Sequence, residues 1–125
     1  MSDSDPPTDA PTAQSLADSN CVPCEGGVPK LTPGQAAGFA RATPNWSVDS
    51  DAIQIRRKLN CKHFAKAVKR INQICEIAER EQHHPDLHLT GYRHLDIVLT
   101  THAIGGLSEN DFILAAQIDR LLDDQ

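Results

Sequence analysis

Six histidines occur in 125 residues, and five of them lie between positions 83 and 102: His83, His84, His88, His94 and His102. Imidazole titrates near neutrality, so such a cluster can deliver or take up a proton at working pH. His83 and His84 are adjacent, and Pro85 limits their backbone freedom. Glu79 precedes His83 by one helical turn, a spacing at which a carboxylate can orient an imidazole and favour its charged form. The chemistry that these residue types support is metal-free general acid/base catalysis. A three-histidine metal site from His83, His84 and His102 stays open as an alternative. Taken alone, the His-His-Pro segment also reads as a solvated loop. No nucleophile stands out. Ser108 reads as a helix cap, and no G-x-S-x-G is present. Gly26-Gly27 and Gly105-Gly106 fit neither a phosphate loop nor G-x-G-x-x-G, and H-E-x-x-H is absent.

The four cysteines add little. Cys21 and Cys24 form a C-x-x-C pair, half of a zinc site by spacing. The nearest second pair, Cys61 and His63, opens a predicted helix rather than a knuckle, so plain thiols are the expectation. Nothing in the sequence indicates an oxidising compartment, which disfavours a disulfide framework.

The elements that must position the histidines follow from patterning. Residues 1–20 read as a disordered acidic tail of Ser, Asp, Pro, Thr and Ala, and 21–31 as a Pro- and Gly-rich loop. Thr32, Pro33 and Gln35 make a T-x-x-Q capping box with proline at the first helical position, and that helix must end before Pro44. Trp46 and Val48 suggest a short strand, and Asp49-Ser50-Asp51 a turn. Residues 52–59 alternate, with Ile53, Ile55 and Leu59 on one face. Residues 61–81 make the clearest helix, with an apolar stripe of Phe64, Ala67, Val68, Ile71, Ile74, Cys75 and Ala78. Glu76, Glu79 and Glu81 crowd its C-terminal turns, where the helix dipole disfavours negative charge. Residues 87–92 and 94–102 read as two strands, placing His102 at a strand end. Gly105-Gly106 makes a turn, and Ser108 caps a last helix with Asp111 at the capping-box position. Phe112, Leu114, Ala115, Ile118, Leu121 and Leu122 span more than one stripe of that helix, which suggests a second buried face and an oligomer. The order α-β-β-α-β-β-α is an α+β fold, an antiparallel four-stranded sheet with helices on one face, formed by one domain over residues 32–125.

The formal charge is −5, with Lys30 the first base. Asp3, Asp5, Asp9, Asp18 and Glu25 carry the whole imbalance, since the other 12 acids are matched by 12 bases. A neutral domain with an acidic leader has no footprint for nucleic acid. No apolar run reaches the ~20 residues of a membrane span, and no secretory signal or Arg-rich transit peptide is recognisable, so a cytoplasmic protein is expected.

The spacing of the chemical residues resembles the pterin-4a-carbinolamine dehydratase family. Glu79, three spacers, His83-His84-Pro85, six spacers, Tyr92, nine spacers, His102, eight spacers and Asp111 match the family signature. The segment T-T-H-x-x-G-G-L-S-x-x-D from Thr100 to Asp111 is similar as well. The likeness extends over roughly residues 32–122. It implies conversion of a 4a-hydroxytetrahydropterin to a quinonoid dihydropterin and water, on substrate made by aromatic amino acid hydroxylases, with no redox cofactor or resident metal. By position, His83 and His102 would be the acid/base pair at the 4a-hydroxyl, and His84 would bind substrate and relay the N5 proton. Glu79 would orient a histidine, Thr100 and Thr101 would offer backbone groups to the pterin edge, and Asp111 would support the pocket. Trp46 lies where the family places an aromatic beside the pterin, although a core anchor explains it equally well. A homodimer or homotetramer, and a hydroxylase as partner, are further implications. Relatives also act as assembly factors or as a transcription-factor dimerisation partner, so a protein-interaction module on the same fold is the alternative function.

Overall fold

Thr32 and Gln35 close the reciprocal box their spacing predicts: the Gln35 N–H donates to Thr32 Oγ1 at 3.1 Å and the Thr32 N–H to Gln35 Oε1 at 2.9 Å. The computed structural model describes residues 11–22 and 28–123. Cys24, the C-x-x-C pairing and the first ten residues lie outside them. Helix α2 is Pro33–Ala40, and its Phe39 stacks on Phe112 with ring centroids 5.3 Å apart. Two further long helices follow, α3 (Phe64–Glu81) and α4 (Glu109–Asp123). The strands are β1 (Ser47–Val48), β2 (Ile55–Asn60), β3 (Asp86–Thr90) and β4 (His94–Leu99), antiparallel in the order β1-β2-β4-β3. Ile55 lies opposite Leu99, Leu59 opposite Leu95 and Leu87 opposite Ile97, so one face of the sheet is apolar and packs under the helices. The other face carries Arg56, Lys58, His88 and Asp96, with Arg56 paired to Asp96 at 3.2 Å. The expected α+β architecture is the one observed.

Three boundaries differ from expectation for local reasons. Residues 52–54 form a turn, because Asp49 Oδ1 accepts the N–H groups of Ile53 and Gln54 at 2.7 and 3.0 Å, and Ala52 takes a left-handed φ of 55°. The strand therefore begins at Ile55, and Ile53 is exposed. Tyr92 is not the end of a strand: with Gly91 at φ 54° and Tyr92 at 57°, residues 91–93 make the β3–β4 hairpin loop. The strand ending at Leu99 leaves His102 to open a short 3₁₀ turn, His102–Ile104.

The segment expected to be a disordered tail is helical over Ala13–Ala17, here α1. Its one large apolar residue, Leu16, is 2% exposed and joins the core. A five-residue helix has no stability of its own in water, so docking is what orders it. It docks on α4, and this changes the meaning of that helix's breadth. Every residue of α4 from Asn110 to Ile118 is buried within one chain, the second face being covered by α1. The breadth of α4 therefore gives no support to an oligomer. The apolar stripe of α3 is split instead. Ala67, Ile74 and Ala78 face the core together with Ile77, while Phe64, Val68 and Cys75 are exposed.

The carboxylates at the end of α3 also separate by role. Glu81 is buried and accepts the Cys21 N–H at 2.8 Å and the Gln117 Nε2–H at 3.0 Å, with Arg80 alongside. Burial pushes its pKa up, but these hydrogen bonds and the Arg80 charge outweigh that and hold it below its usual 4.5. A lowered carboxylate pKa contributes stability above the unfolded-state pKa, and that contribution is lost as pH falls through the folded value. Asp119 acts in the opposite sense. Burial raises its pKa more than Trp46 and Arg57 lower it, so acid relieves it. Urea midpoints measured from pH 7 down to pH 3 are expected to fall, and to fall less steeply for Glu81→Gln. Parallel curves for the two proteins would remove Glu81 from the acid response.

Candidate active site

The end of β4 and the start of α4 meet through side chains. Thr101, just past β4, is 1% exposed; Ser108, just before α4, and Asp111, in its first turn, are fully buried. Asp111 Oδ2 accepts the Ser108 N–H at 2.9 Å, half of the predicted capping box. The Ser108 hydroxyl does not complete the box. Thr101 Oγ1 lies 2.8 Å from Asp111 Oδ2 and 2.8 Å from Ser108 Oγ. A carboxylate only accepts, so the Thr101 hydroxyl donates to Asp111 and the Ser108 hydroxyl donates to Thr101. The other carboxylate oxygen, Oδ1, is 2.6 Å from His83 Nε2. Asp111 thus receives a backbone N–H, a hydroxyl and an imidazole N–H. This fixes the His83 tautomer with its proton on Nε2, the way a carboxylate orients a working histidine.

Gln82 in the left-handed conformation, φ 54°, ends α3 and turns His83 inward, where it is buried. His84 faces the other way, exposed, with Nε2 2.6 Å from Glu79 Oε2. The i to i+5 reach is possible because the chain has left helical geometry between the two residues. Glu79 therefore pairs with His84, the second of the two histidines. His102 is exposed on the 3₁₀ turn, which Gly105 terminates at φ 65°.

His83, His84 and His102 line one cleft of about 160 Å³ with Gln82, Thr100, Thr101 and Ala103. This is below the ~300–1,000 Å³ of clefts that enclose a drug-sized ligand, so it would grip one edge of a larger molecule. A larger hollow of about 490 Å³ lies elsewhere, along the polar sheet face between Lys58, Asn60, Thr90, His94 and Asp96. It belongs to the solvated surface and gathers a single imidazole, so volume does not locate the chemistry. The three cleft histidines do not converge as ligands of one ion. Nε2 of His83 and of His84 each face a carboxylate, and no three His, Cys, Asp or Glu side chains form a cation site among the described residues.

Other expected site residues have different tasks. The Thr101 N–H bonds Gly106 O at 2.9 Å and its carbonyl accepts from Ile104 at 3.1 Å, so Thr101 supports the cleft floor instead of offering these groups to a ligand. Thr100 lines the cleft, and its hydroxyl donates to Ile53 O at 2.6 Å. Trp46 is buried in the core and does not line the cleft; its Nε1–H donates to Asp119 Oδ1 at 2.8 Å, beside the Arg57–Asp119 ion pair. Tyr92 stands exposed on the hairpin loop under the Arg93 guanidinium, also outside the cleft. Gln82 also lines the cleft, a place that its sequence signals only through the need for a left-handed residue between a helix and His-His-Pro.

A family profile described as Pterin 4 alpha carbinolamine dehydratase matches residues 29–121. This chain belongs to that family. A Halorhodospira halophila relative, named provisionally for the same dehydratase, is 46% identical over 107 residues, covering 86% of this chain and 97% of the relative. Pterin-4-alpha-carbinolamine dehydratase 2, mitochondrial, of Arabidopsis thaliana is 42% identical over 118 residues, 90% of this chain and 63% of that protein. A crystal structure described as a transcriptional coactivator/pterin dehydratase from Brucella melitensis superposes with a TM-score of 0.69 at 27% identity, covering 74% of this chain and 98% of that one. Membership explains why the histidine anchors recur at these intervals: the fold brings positions about twenty residues apart to one cleft. It also marks α1 as lying before the matched region. Among the described residues no helix is long and apolar enough to cross a membrane.

Proposed function

We propose that the protein dehydrates 4a-hydroxytetrahydropterins to quinonoid dihydropterin and water, as a hydro-lyase serving tetrahydropterin recycling. The observation that carries this reading is the meeting of His83, His84 and His102 on one cleft with Asp111 beneath His83. The reaction breaks the C4a–O bond and forms the C4a=N5 double bond. One proton goes to the departing hydroxyl, which leaves as water, and one leaves N5, so the two balance. Nothing is oxidised, and a pair of imidazoles suffices. His83 and His102 serve the 4a-hydroxyl, and His84, held by Glu79, binds substrate and takes the N5 proton. Each proton transfer supplies about 10²–10⁴-fold. A hydroxylase-coupled assay following decay of the 4a-hydroxytetrahydropterin tests this, run with and without chelator. The protein should accelerate the decay equally in both. No acceleration would overturn the reading, and loss to chelator would return it to a metal site.

Within this scheme Glu79→Gln should lower turnover only about 2- to 10-fold, the worth of one exposed hydrogen bond. His84→Ala should cost roughly 10- to 1000-fold, because a proton-transfer group is gone. Equal losses from the two would place the function of Glu79 outside His84.

The double description of the Brucella relative favours one alternative, a protein-interaction role on the same fold. Such a role does not need three imidazoles on a cleft, and their presence here supports the dehydratase. We also propose that the protein self-associates as a dimer or tetramer. The apolar surface such contact would cover is the α3 stripe of Phe64 and Val68, 58% and 38% exposed. Sedimentation should show a species above 13.7 kDa that Phe64→Glu dissociates. A 13.7 kDa species alone in the wild type would end that proposal.

A further inference from the structure

The backbone of two leader residues joins the same two helix ends that carry the His83–Asp111 pair. Cys21 gives its N–H to Glu81, the last residue of α3. Val22 is held twice by Asn110 in the first turn of α4: its N–H donates to Asn110 Oδ1 at 3.0 Å and its carbonyl accepts from Asn110 Nδ2 at 2.8 Å. Asn110 is 1% exposed, so this amide is a buried receptor that matches both backbone polar groups of one residue. Gln117, two turns further along the same face of α4, donates to Ser19 O at 2.8 Å and to Glu81 Oε2 at 3.0 Å. Cys21 Sγ adds a contact to Asn110 O at 3.6 Å.

Glu81 lies two residues before His83, and Asn110 one residue before Asp111. Two bridges between α3 and α4 therefore run side by side, one through the leader and one through the site. We propose that Asn110 and Glu81 are positioning residues. By clamping Cys21–Val22 they set the separation of the two helix ends at which His83 Nε2 meets Asp111 Oδ1. Three of these contacts go to backbone atoms of Cys21 and Val22, so the clamp reads mainly the path of the leader backbone. This rests on the role proposed above for His83, and the test separates the two.

Asn110→Ala removes both bonds to Val22, and Asn110→Asp keeps the acceptor but loses the donor. Glu81→Gln is a milder variant that keeps one acceptor for Cys21. Two readouts are taken on the full chain. The first is the downfield proton NMR resonance of the His83 Nε2–H held on Asp111, assigned by its absence in His83→Ala. The second is the kcat–pH profile with KM. Asn110→Ala should broaden or lose the resonance, shift the acidic limb of the profile and lower kcat about 10- to 100-fold, the scale of a small misplacement of reacting groups. KM should stay within about twofold, and Asn110→Asp should fall between Ala and wild type. An unchanged resonance and profile in both Asn110→Ala and Glu81→Gln would overturn the proposal, as would a loss of stability with kcat intact. A lost resonance with turnover unchanged in His83→Ala as well would uphold the clamp and overturn the catalytic role of His83. Should Asn110→Ala fail to fold, Glu81→Gln alone decides by the same two readouts.

Discussion

Asp111→Ala should lower turnover by at least about 100-fold and destabilise the protein by about 3–5 kcal/mol, the range for removing one partner from a buried pair. The size follows from what the carboxylate holds. His83, the Thr101 hydroxyl and the Ser108 N–H all donate to it in a region closed to water. Truncation leaves those donors without an acceptor, and each buried unsatisfied group costs about 1–3 kcal/mol. It also frees His83 to change tautomer. Asp111→Asn is the informative companion. One of its positions presents an N–H₂ group to a donor, either His83 or Thr101, so stability should drop less than in the alanine variant while turnover drops nearly as far. Urea denaturation and the coupled assay measure the two quantities. Wild-type turnover in Asp111→Asn would show that the tautomer of His83 does not matter to the reaction.

The second large effect should appear without any change in stability. His102 is exposed and caps nothing, so His102→Ala should leave the urea midpoint where it is and cut turnover roughly 10- to 1000-fold. His83→Ala should match it in turnover but also lose stability, because Asp111 would then stay buried with its charge less compensated. The contrast separates chemistry from architecture: two histidines with one proposed duty, one on the surface and one built into the fold. Undiminished dehydration by His102→Ala and His83→Ala would dismiss imidazole catalysis at the 4a-hydroxyl, and the same result for His84→Ala would dismiss it at N5.

How much of this was legible depended on how local each cause is. The α2 box needs only Thr32 and Gln35, and the β3–β4 pair is legible from alternation, although its loop at 91–93 falls inside the stretch read as strand. The pairing of β2 with β4 across the whole of α3 is non-local, and no short pattern announces it. Helix α1 was invisible because a lone Leu16 makes no periodicity; its order comes from α4, some hundred residues away. The α3 stripe is wider in sequence than in the core, since Phe64 and Val68 continue the apolar arc past the core's edge. At the site, spacing named the three histidines of the cleft but read Asp111 mainly as a cap. The cap and the support for His83 are two oxygens of one carboxylate, and only the second depends on the fold.

The reach from Val22 to Asn110 spans 88 positions, so the leader around α1 completes its packing on α4. Closing so long a loop is entropically unfavourable until the elements between are in place. On the ribosome, the leader must therefore wait, already made, while the residues between it and α4 are translated. The final helix to emerge is the one that retires the apolar surface of the first, and a nascent chain halted before residue 109 would have no native seat for Leu16.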